Sequence, residues 1–316
     1  MQVTLQQTID LLKAGQVVAI PTETVYGLAA DATQDDALRQ IYAIKQRPMD
    51  NPLIVHIADA SQVANWAAEF SPLAQKLADA FWPGPFTLVL PAKDSVSAIV
   101  RANQPTVALR VPNHPLALQV LKQSGLSLAA PSANKFTQLS PTTAAHVVSS
   151  LGESLAVLDG GSCSVGIEST IVSVNGDDWQ LLRLGMITQA EIQEIAGKPA
   201  LKNEKNNTPK VPGQHLQHYS PVTPVKLFQS RAALLTYAKS NIANCAALLI
   251  SDNNDLNLQI NCEYLMLPNQ ATQAAEQLYS ALHQLDKLKV SQILVELPPI
   301  NIEWLAVLDR LTRAAH

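Results

Sequence analysis

The chain has very few of the residues that build disulfide frameworks or thiolate metal sites. It holds three cysteines, Cys163, Cys245 and Cys262, and no two of them form a CxxC pair. An odd number without paired spacing predicts a reducing compartment and no disulfide framework. No apolar run approaches the ~18 residues that span a bilayer, and the N-terminus lacks the pattern of a signal peptide. These absences predict a soluble, cytoplasmic protein.

A surplus of basic residues is also missing. The formal net charge is −4, and residues 1–205 hold 14 Lys and Arg against 18 Asp and Glu. Residues 206–316 hold eight of each. A general nucleic-acid binder usually has a basic surplus, so charge gives that class no support. Any basic site in the first part must come from a few converging cations.

The common signatures of catalysis are absent as well. The sequence contains no GxxxxGK[ST] phosphate loop, no HExxH, no GxSxG and no kinase motifs. "HLQH" has HxxH spacing at His215 and His218 but lies in a proline-rich stretch. A metal site and a solvated or docking segment both remain open there.

What is present is a two-domain α/β pattern. Strand-like and helical segments alternate through residues 1–202, and some strands follow one another without a helix, which favours a mixed sheet. Residues 203–224 contain four prolines and little apolar periodicity, and therefore predict a linker. Residues 225–316 repeat a strand–helix rhythm that predicts a small Rossmann-like α/β domain.

Two polar stretches sit beside predicted strands. "PTETVYGLAADA" (21–32) follows a strand directly, which fits either a ligand-facing loop or a polar turn. Lys45 and Arg47 lie in "KQRPMDNPLIVH", where we predict an extended loop with both side chains on one side. They suit an anion, although a solvated basic turn is the alternative. His56 ends the strand that follows.

Two arginines lie inside apolar strands, Arg110 in "VALRV" and Arg183 in "LLRLG". A buried arginine needs a carboxylate partner or a bound anion, and the sequence leaves both open. Ser140-Pro141 predicts a helix N-cap with proline at the first helical position. "GIESTIV" brings the hydroxyls of Ser169 and Thr170 to the start of a strand. Together these features favour an anion site in a locally basic cavity.

Taken in order, these stretches resemble the threonylcarbamoyl-AMP synthase family in its long two-domain form. The matching segments are "PTETVYGL", "KQRPMDNPLIVH", "FWPGPFTLVL", "VALRVP", "PSAN" with "SPTT", "DGG…GIESTIV", "LLRLG" and "HYSP". They spread over about residues 18–221. The resemblance implies a twisted mixed-sheet YrdC-like domain with a deep cavity, followed by the family's extra C-terminal domain.

The resemblance also implies a reaction. L-threonine, bicarbonate and ATP give threonylcarbamoyl-AMP, pyrophosphate and water, with Mg²⁺ carried on the ATP phosphates and no protein metal ligands assigned. Downstream proteins transfer the threonylcarbamoyl group to tRNA, and direct tRNA contact is possible but not required. No membrane partner is implied, and no enzyme nucleophile or general base is assigned.

The resemblance assigns residues to two subsites. Those implied to bind ATP are Lys45, Arg47, Asn51, Thr106, Ser132, Asn134, Ser140, Arg183 and Tyr219, the last as part of a lid. Those implied to bind threonine are Thr24, His56, Arg110, Ala130 through its backbone, and Thr170.

The sequence departs from the family pattern at three places. Phe136-Thr137 follow "PSAN" where Ser-Gly is common, Ser173 follows "STIV" where Asp is frequent, and Gln214 follows "PG" where Met is usual. Two other interpretations remain: a protein that binds tRNA or double-stranded RNA through the same cavity, and a carbamoyl-transfer module like that of hydrogenase-maturation proteins. The latter carry zinc-finger-like cysteine pairs, which this chain lacks.

Overall fold

The computed structural model describes residues 1–200, 208–213, 218–240, 244–251 and 260–316. These residues divide into two units. The first holds the described residues of 1–136, 141–164 and 168–213, and the second holds those of 137–140, 165–167 and 218–316. The described parts of the predicted linker are thus shared between the units. The domain limits expected at residues 202 and 224 stay predictions.

Among the described residues of the first unit, ten strands form one mixed sheet. They are β1 (Gln2–Val3), β2 (Val18–Ile20), β3 (Gly27–Asp31), β4 (Ile54–His56), β5 (Phe86–Pro91), β6 (Thr106–Arg110), β7 (Leu128–Ala129), β8 (Ala156–Leu158), β9 (Thr170–Asn175) and β10 (Asp178–Arg183). Their order is β1-β8-β2-β3-β7-β4-β6-β5-β9-β10. Parallel pairs such as β4/β6 occur in the same sheet as antiparallel pairs such as β5/β6, which confirms the predicted mixed sheet.

Helices of the first unit begin and end where local sequence favours it. They are α1 (Leu5–Lys13), α2 (Asp35–Lys45), α3 (Pro72–Phe81), α4 (Ala98–Arg101), α5 (Pro115–Ser124), α6 (Ala144–Leu151) and α7 (Gln189–Ala196). Thr4 and Gln7 form a capping box at α1. Ser71 caps α3, whose first residue is a proline as predicted. Gly125, with φ of +73°, ends α5.

Several short elements were not predicted, among them β3, α4 and α7. β3 has the sequence "GLAAD", which contains no β-branched residue, so its strand geometry comes from pairing with β2 and β7 on either side. Helix α4 has only four residues, and α7 is an amphipathic helix with a Thr188–Glu191 capping box. That S/T-x-x-E signal is visible in the sequence.

Strand residues alternate between the two faces of the sheet and thereby place the site residues. Val55, Leu109 and Val172 join one core cluster, whereas their neighbours Ile54, Ala108 and Ile171 join another. Because β4 and β6 are parallel and in register, their last residues, His56 and Arg110, lie side by side. Polar groups therefore meet where these two strands end.

The second unit contains a four-stranded parallel sheet. Its strands are β11 (Val225–Phe228), β12 (Cys245–Ile250), β13 (Glu263–Leu267) and β14 (Gln292–Glu296), and its helices are α8 (Arg231–Ser240), α9 (Ala271–Lys287) and α10 (Leu305–Ala314). The order is β11-β14-β12-β13, so the last strand in the chain lies between the first two. This confirms the predicted small Rossmann-like domain. Within the described ranges, no helix has the length and apolar character needed to cross a bilayer.

Candidate active site

Lys45 ends a helix rather than lying in an extended loop, so that part of the prediction is wrong. Gln46, with φ of +52°, terminates α2 in the left-handed region. The Lys45 ammonium turns inward and donates to the carbonyls of Ser132 and, at 2.6 Å, Asn134. Burial, followed by the charge of Arg47, lowers the pKa of Lys45 well below its usual range, and Glu168 opposes the shift. Lys45 therefore fixes the "PSAN" loop to the end of α2.

Arg47 and Asn51 are also buried, which excludes the solvated basic turn. Arg47 Nη2 donates to the Pro52 carbonyl at 2.9 Å. The Tyr42 hydroxyl donates to the Asn51 carbonyl at 2.8 Å, and burial raises the pKa of that tyrosine to about 12. The loop after α2 is held in one shape by these contacts. Its cations face the interior of the first unit.

Arg110 is the centre of the second group of predicted residues. Its guanidinium donates to Thr24 Oγ1 at 2.9 Å and to the Gly84 carbonyl at 3.1 Å. Its third nitrogen, Nη2, lies 2.7 Å from Glu23 Oε1, and the two side chains are only 5% and 4% exposed. Of the two partners that the sequence left open for Arg110, the structure contains the carboxylate. Glu23 itself was missed, although it is the one charged residue in the otherwise neutral "PTETVYG".

His56 lies beside Arg110 and is fully buried. Burial, and then the Arg110 charge, lowers the pKa of His56 to about 3. The imidazole is therefore neutral at pH 7. Gly27 brings β3 close to Ala130, because a Cβ at residue 27 would lie 3.0 Å from the Ala130 Cβ. Thr24, His56, Arg110 and Ala130 thus come from adjoining segments of the first unit.

Thr170 and Arg183 are joined through Ser169. Arg183 donates from Nε to the Ser169 carbonyl and from Nη2 to Ser169 Oγ, both at 3.0 Å. Ser169 Oγ also lies 2.7 Å from Thr87 Oγ1. Arg183 Nη1 donates to the Pro212 carbonyl at 3.1 Å, so this arginine also binds the described end of the predicted linker. The contact of Arg183 with Ser169, and that of Ser169 with Thr87, were not predicted.

Thr106 lies apart from Arg110, at the opposite end of β6 and roughly 13 Å away along the strand. It is half-buried and lines a cavity of about 420 Å³. Ser173, one of the departures from the family pattern, lines the same cavity. The structure does not place Thr106 among the residues around Arg110.

Ser140 and Tyr219 belong to the second unit. The expected N-cap at Ser140 is wrong, because Thr143 caps α6. The Ser140 carbonyl lies 3.2 Å from His283 Nε2. The Tyr219 ring is buried, 4.9 Å from the guanidinium carbon of Arg310. Its predicted function in a lid stays a prediction. His215 lies outside the described residues, so the two alternatives for the HxxH spacing, a metal site and a solvated or docking segment, both stay open.

The described parts of the chain contain no group of three or more His, Cys, Asp or Glu that could hold a metal ion. The basic and hydroxyl side chains of the first unit instead suit anionic oxygens. One group, Arg110 with Thr24 and His56, fits a single carboxylate. Lys45, Arg47 and Arg183 are further buried cations of this unit, and each suits an anionic oxygen.

Comparison with known proteins gives two adjoining family matches. Residues 10–185 match the family Sua5_yciO_yrdC, described as "Telomere recombination", and residues 187–316 match "Threonylcarbamoyl-AMP synthase, C-terminal domain". The chain is 38% identical to "Threonylcarbamoyl-AMP synthase" of Bacillus subtilis, over 98% of this chain and 92% of the relative. It is 35% identical to the protein of that name from Pyrococcus abyssi, over 96% and 92%.

A solved structure shares the whole architecture. "Crystal structure of P. abyssi Sua5 complexed with L-threonine" has a TM-score of 0.89 and 32% identity, covering 100% of this chain and 96% of that one. Likeness over both units agrees with the two family matches. The chain belongs to the threonylcarbamoyl-AMP synthase family, in its long two-domain form.

Proposed function

We propose that this chain makes threonylcarbamoyl-AMP from L-threonine, bicarbonate and ATP, releasing pyrophosphate and water. Relatives with this name in a bacterium and an archaeon align over nearly the full chain. The reaction joins a carbamate to the α-phosphate of ATP, so the enzyme must hold two anionic substrates together. The buried cations of the first unit supply the charge for that task.

The observation that supports this function best is the environment of Arg110. A buried guanidinium beside Thr24 Oγ1 and a neutral imidazole can bind a carboxylate when Glu23 gives up its contact with Nη2. Threonine has one carboxylate and one hydroxyl group. The related P. abyssi protein has been crystallised with L-threonine. We assign Thr24, His56, Arg110, the Ala130 backbone and Thr170 to threonine.

Catalysis in this proposal comes from positioning and electrostatics. The threonine amine attacks the bicarbonate carbon, which gives a carbamate and water. A carbamate oxygen then attacks the α-phosphate of ATP, and pyrophosphate leaves. No covalent intermediate with the protein is required. Within the first unit we assign Lys45, Arg47, Asn51, Thr106, Ser132, Asn134 and Arg183 to the nucleotide. Ser140 and Tyr219, which the resemblance also implies to bind ATP, belong to the second unit and stay predictions.

Mg²⁺ would reach the site on the triphosphate. When bound, the ion would neutralise the charge that develops on the departing pyrophosphate. Lys45, Arg47 and Arg183 suit the remaining phosphate charge. The product would pass to proteins that transfer the threonylcarbamoyl group to tRNA, and direct contact with tRNA is not needed for the reaction itself.

The test is to mix purified protein with ATP, Mg²⁺, bicarbonate and L-threonine. Pyrophosphate release and the mass of a new adenylate are followed. Arg110→Ala removes the carboxylate contact and should lower kcat/KM for threonine by about 30-fold or more, since truncating one member of a buried charge pair costs about 2–5 kcal/mol. Arg39→Ala is the matched control, because Arg39 is exposed on α2.

Reactions without threonine, without bicarbonate or with serine complete the design. A threonine- and bicarbonate-dependent adenylate that Arg110→Ala loses and Arg39→Ala keeps would support the proposal. ATP binding without any adenylate would overturn it. Binding of tRNA that falls steeply with salt would then support the RNA-binding hypothesis.

A further inference from the structure

We propose that Glu23 binds the α-ammonium group of threonine and accepts a proton from it. This inference rests on the proposed function and identifies a catalytic residue for it. The resemblance to the family assigned no proton acceptor to the reaction. Bicarbonate can be attacked only by a neutral amine, whereas threonine in water at pH 7 carries an ammonium group. Some group in the site must therefore take that proton.

Glu23 is a buried carboxylate that makes an ion pair with Arg110 and no hydrogen bond among the described residues. Its oxygens have no aligned hydrogen-bond partner among the described residues, and the same is true of Arg110 Nη2. The two groups form an ion pair at 2.7 Å, which leaves most lone pairs of the carboxylate without a donor. Buried polar groups are normally paired, so a carboxylate in this state points to a ligand that supplies the missing donors.

The turn around Glu23 is rigid. Thr22 Oγ1 bonds to the Val25 carbonyl at 2.6 Å and to Thr24 Oγ1 at 2.8 Å. Because Thr24 Oγ1 in turn accepts from Arg110, the turn holds the carboxylate of Glu23 and the guanidinium against each other. Threonine is a zwitterion, so its two charged groups can replace the contact between Glu23 and Arg110 with one contact each. The threonine carboxylate takes Arg110, and Glu23 takes the ammonium, so no buried charge is left alone.

The proton step balances without any further reactant. One ammonium N–H bond breaks and a Glu23 O–H bond forms, leaving a neutral amine and a neutral carboxyl group. The amine attacks the bicarbonate carbon, and the products are the threonine carbamate and water. The proton on Glu23 later leaves to solvent. A neutral Glu23 at that stage also avoids repulsion with the new carbamate charge.

Other groups near Glu23 suit this task less well. Burial, and then Arg110, lowers the pKa of His56 to about 3, which makes the imidazole a very weak base. Burial, and then Glu23, raises the pKa of the Cys163 thiol to about 12, so that it stays protonated. His114 has its pKa lowered mainly by burial, with Glu23 acting against the shift. Glu23 is the charged base facing Arg110.

The test compares L-threonine with 3-hydroxybutanoate, which keeps the carboxylate and hydroxyl but lacks the amine. Binding of each to full-length wild type and to Glu23→Gln is measured by titration calorimetry. We expect Glu23→Gln to weaken the binding of L-threonine by about 10- to 100-fold, which is the range for loss of a hydrogen bond to a charged group. Binding of 3-hydroxybutanoate should stay equal or become tighter, because Arg110 loses its competing carboxylate.

Glu194→Gln, on the exposed side of α7, is the matched control and should change the affinity for neither ligand. Equal weakening of both ligands by Glu23→Gln, or no weakening, overturns the inference. If Glu23→Gln does not fold, Glu23→Asp keeps the charge but shortens its reach. In that case adenylate formation by Glu23→Asp is measured. Its kcat should fall by at least about tenfold, while its KM for threonine should stay within about threefold of the wild-type value. A kcat equal to that of wild type would show that Glu23 does not accept the proton. A wild type that makes no adenylate would fail the proposed function instead.

Discussion

Lowering the pH from 8 to 5 should destabilise the first unit through His56 alone by a measurable amount. The folded state keeps this imidazole neutral, since burial and Arg110 lower its pKa to about 3. The unfolded chain binds a proton at an ordinary pKa of about 6.5. Between these two values the unfolded state holds more protons, so stability falls as the pH falls through 6.5 toward 3.

The size of the effect follows from the two pKa values. With about 6.5 unfolded and about 3 folded, the contribution of this one group to the free energy of unfolding is about 2 kcal/mol lower at pH 5 than at pH 8. Other groups also titrate in that interval. The quantity to measure is therefore the difference between wild type and His56→Gln, which cancels the shared contributions.

Tryptophan fluorescence can report the first unit alone. Of the four tryptophans, Trp66, Trp82 and Trp179 lie in the first unit, and Trp304 lies in the second. In a Trp304→Phe background, urea unfolding is followed at pH 8 and pH 5. The loss of stability between the two pH values should be about 2 kcal/mol larger when His56 is present than in the His56→Gln variant, because an amide does not titrate.

His316, which is exposed, supplies the control. The variant His316→Gln should lose as much stability between pH 8 and pH 5 as wild type does. Equal losses for wild type and His56→Gln, within about 0.5 kcal/mol, would mean that His56 is not kept neutral by folding. Burial of His56 beside the Arg110 charge would then not control its protonation.

Two further predictions concern the same unit. Lys45→Met removes the donor that binds the Ser132 and Asn134 carbonyls. It should raise KM for ATP by about tenfold or more, while KM for threonine stays within about twofold. Pyrophosphate release at varied concentrations of each substrate measures both constants, and equal changes in the two would contradict the prediction. Gly185→Ala places a Cβ 2.3 Å from the Thr170 amide nitrogen, so the free energy of unfolding should fall by about 1–3 kcal/mol, with weaker threonine binding. Urea unfolding and calorimetry measure the two effects, and unchanged stability would show that β9 can shift to make room.

Much of the fold was predictable because the patterns are strong. Apolar runs such as "FTLVL" and "TIVSV" have the composition of buried strands, and both are strands in the structure. The ordered segments also predicted the family and its enzyme class, which the comparisons confirm. β3 was missed because alanine and glycine have little strand preference, and only its neighbours in the sheet make it a strand.

The residue types of the candidate site were predicted better than the contacts between those residues. The inward orientation of Lys45 depends on Gln46 adopting a left-handed conformation, which has no glycine to signal it. The pairing of Arg110 with Glu23 joins positions 87 residues apart, which spacing within a motif cannot reveal. Contacts set by sheet register, such as that of His56 with Arg110, require the strand order to be known first.

The strand order of the second unit has a consequence for synthesis of the chain. β14 is made last, yet it lies between β11 and β12 and pairs with both. A nascent chain that has not yet released residues 292–296 from the ribosome cannot join these two strands, so β11 can enter the sheet only after translation of the unit is almost finished. A stop codon before residue 292 would therefore leave β11 without its sheet partner and expose strand edges prone to aggregation.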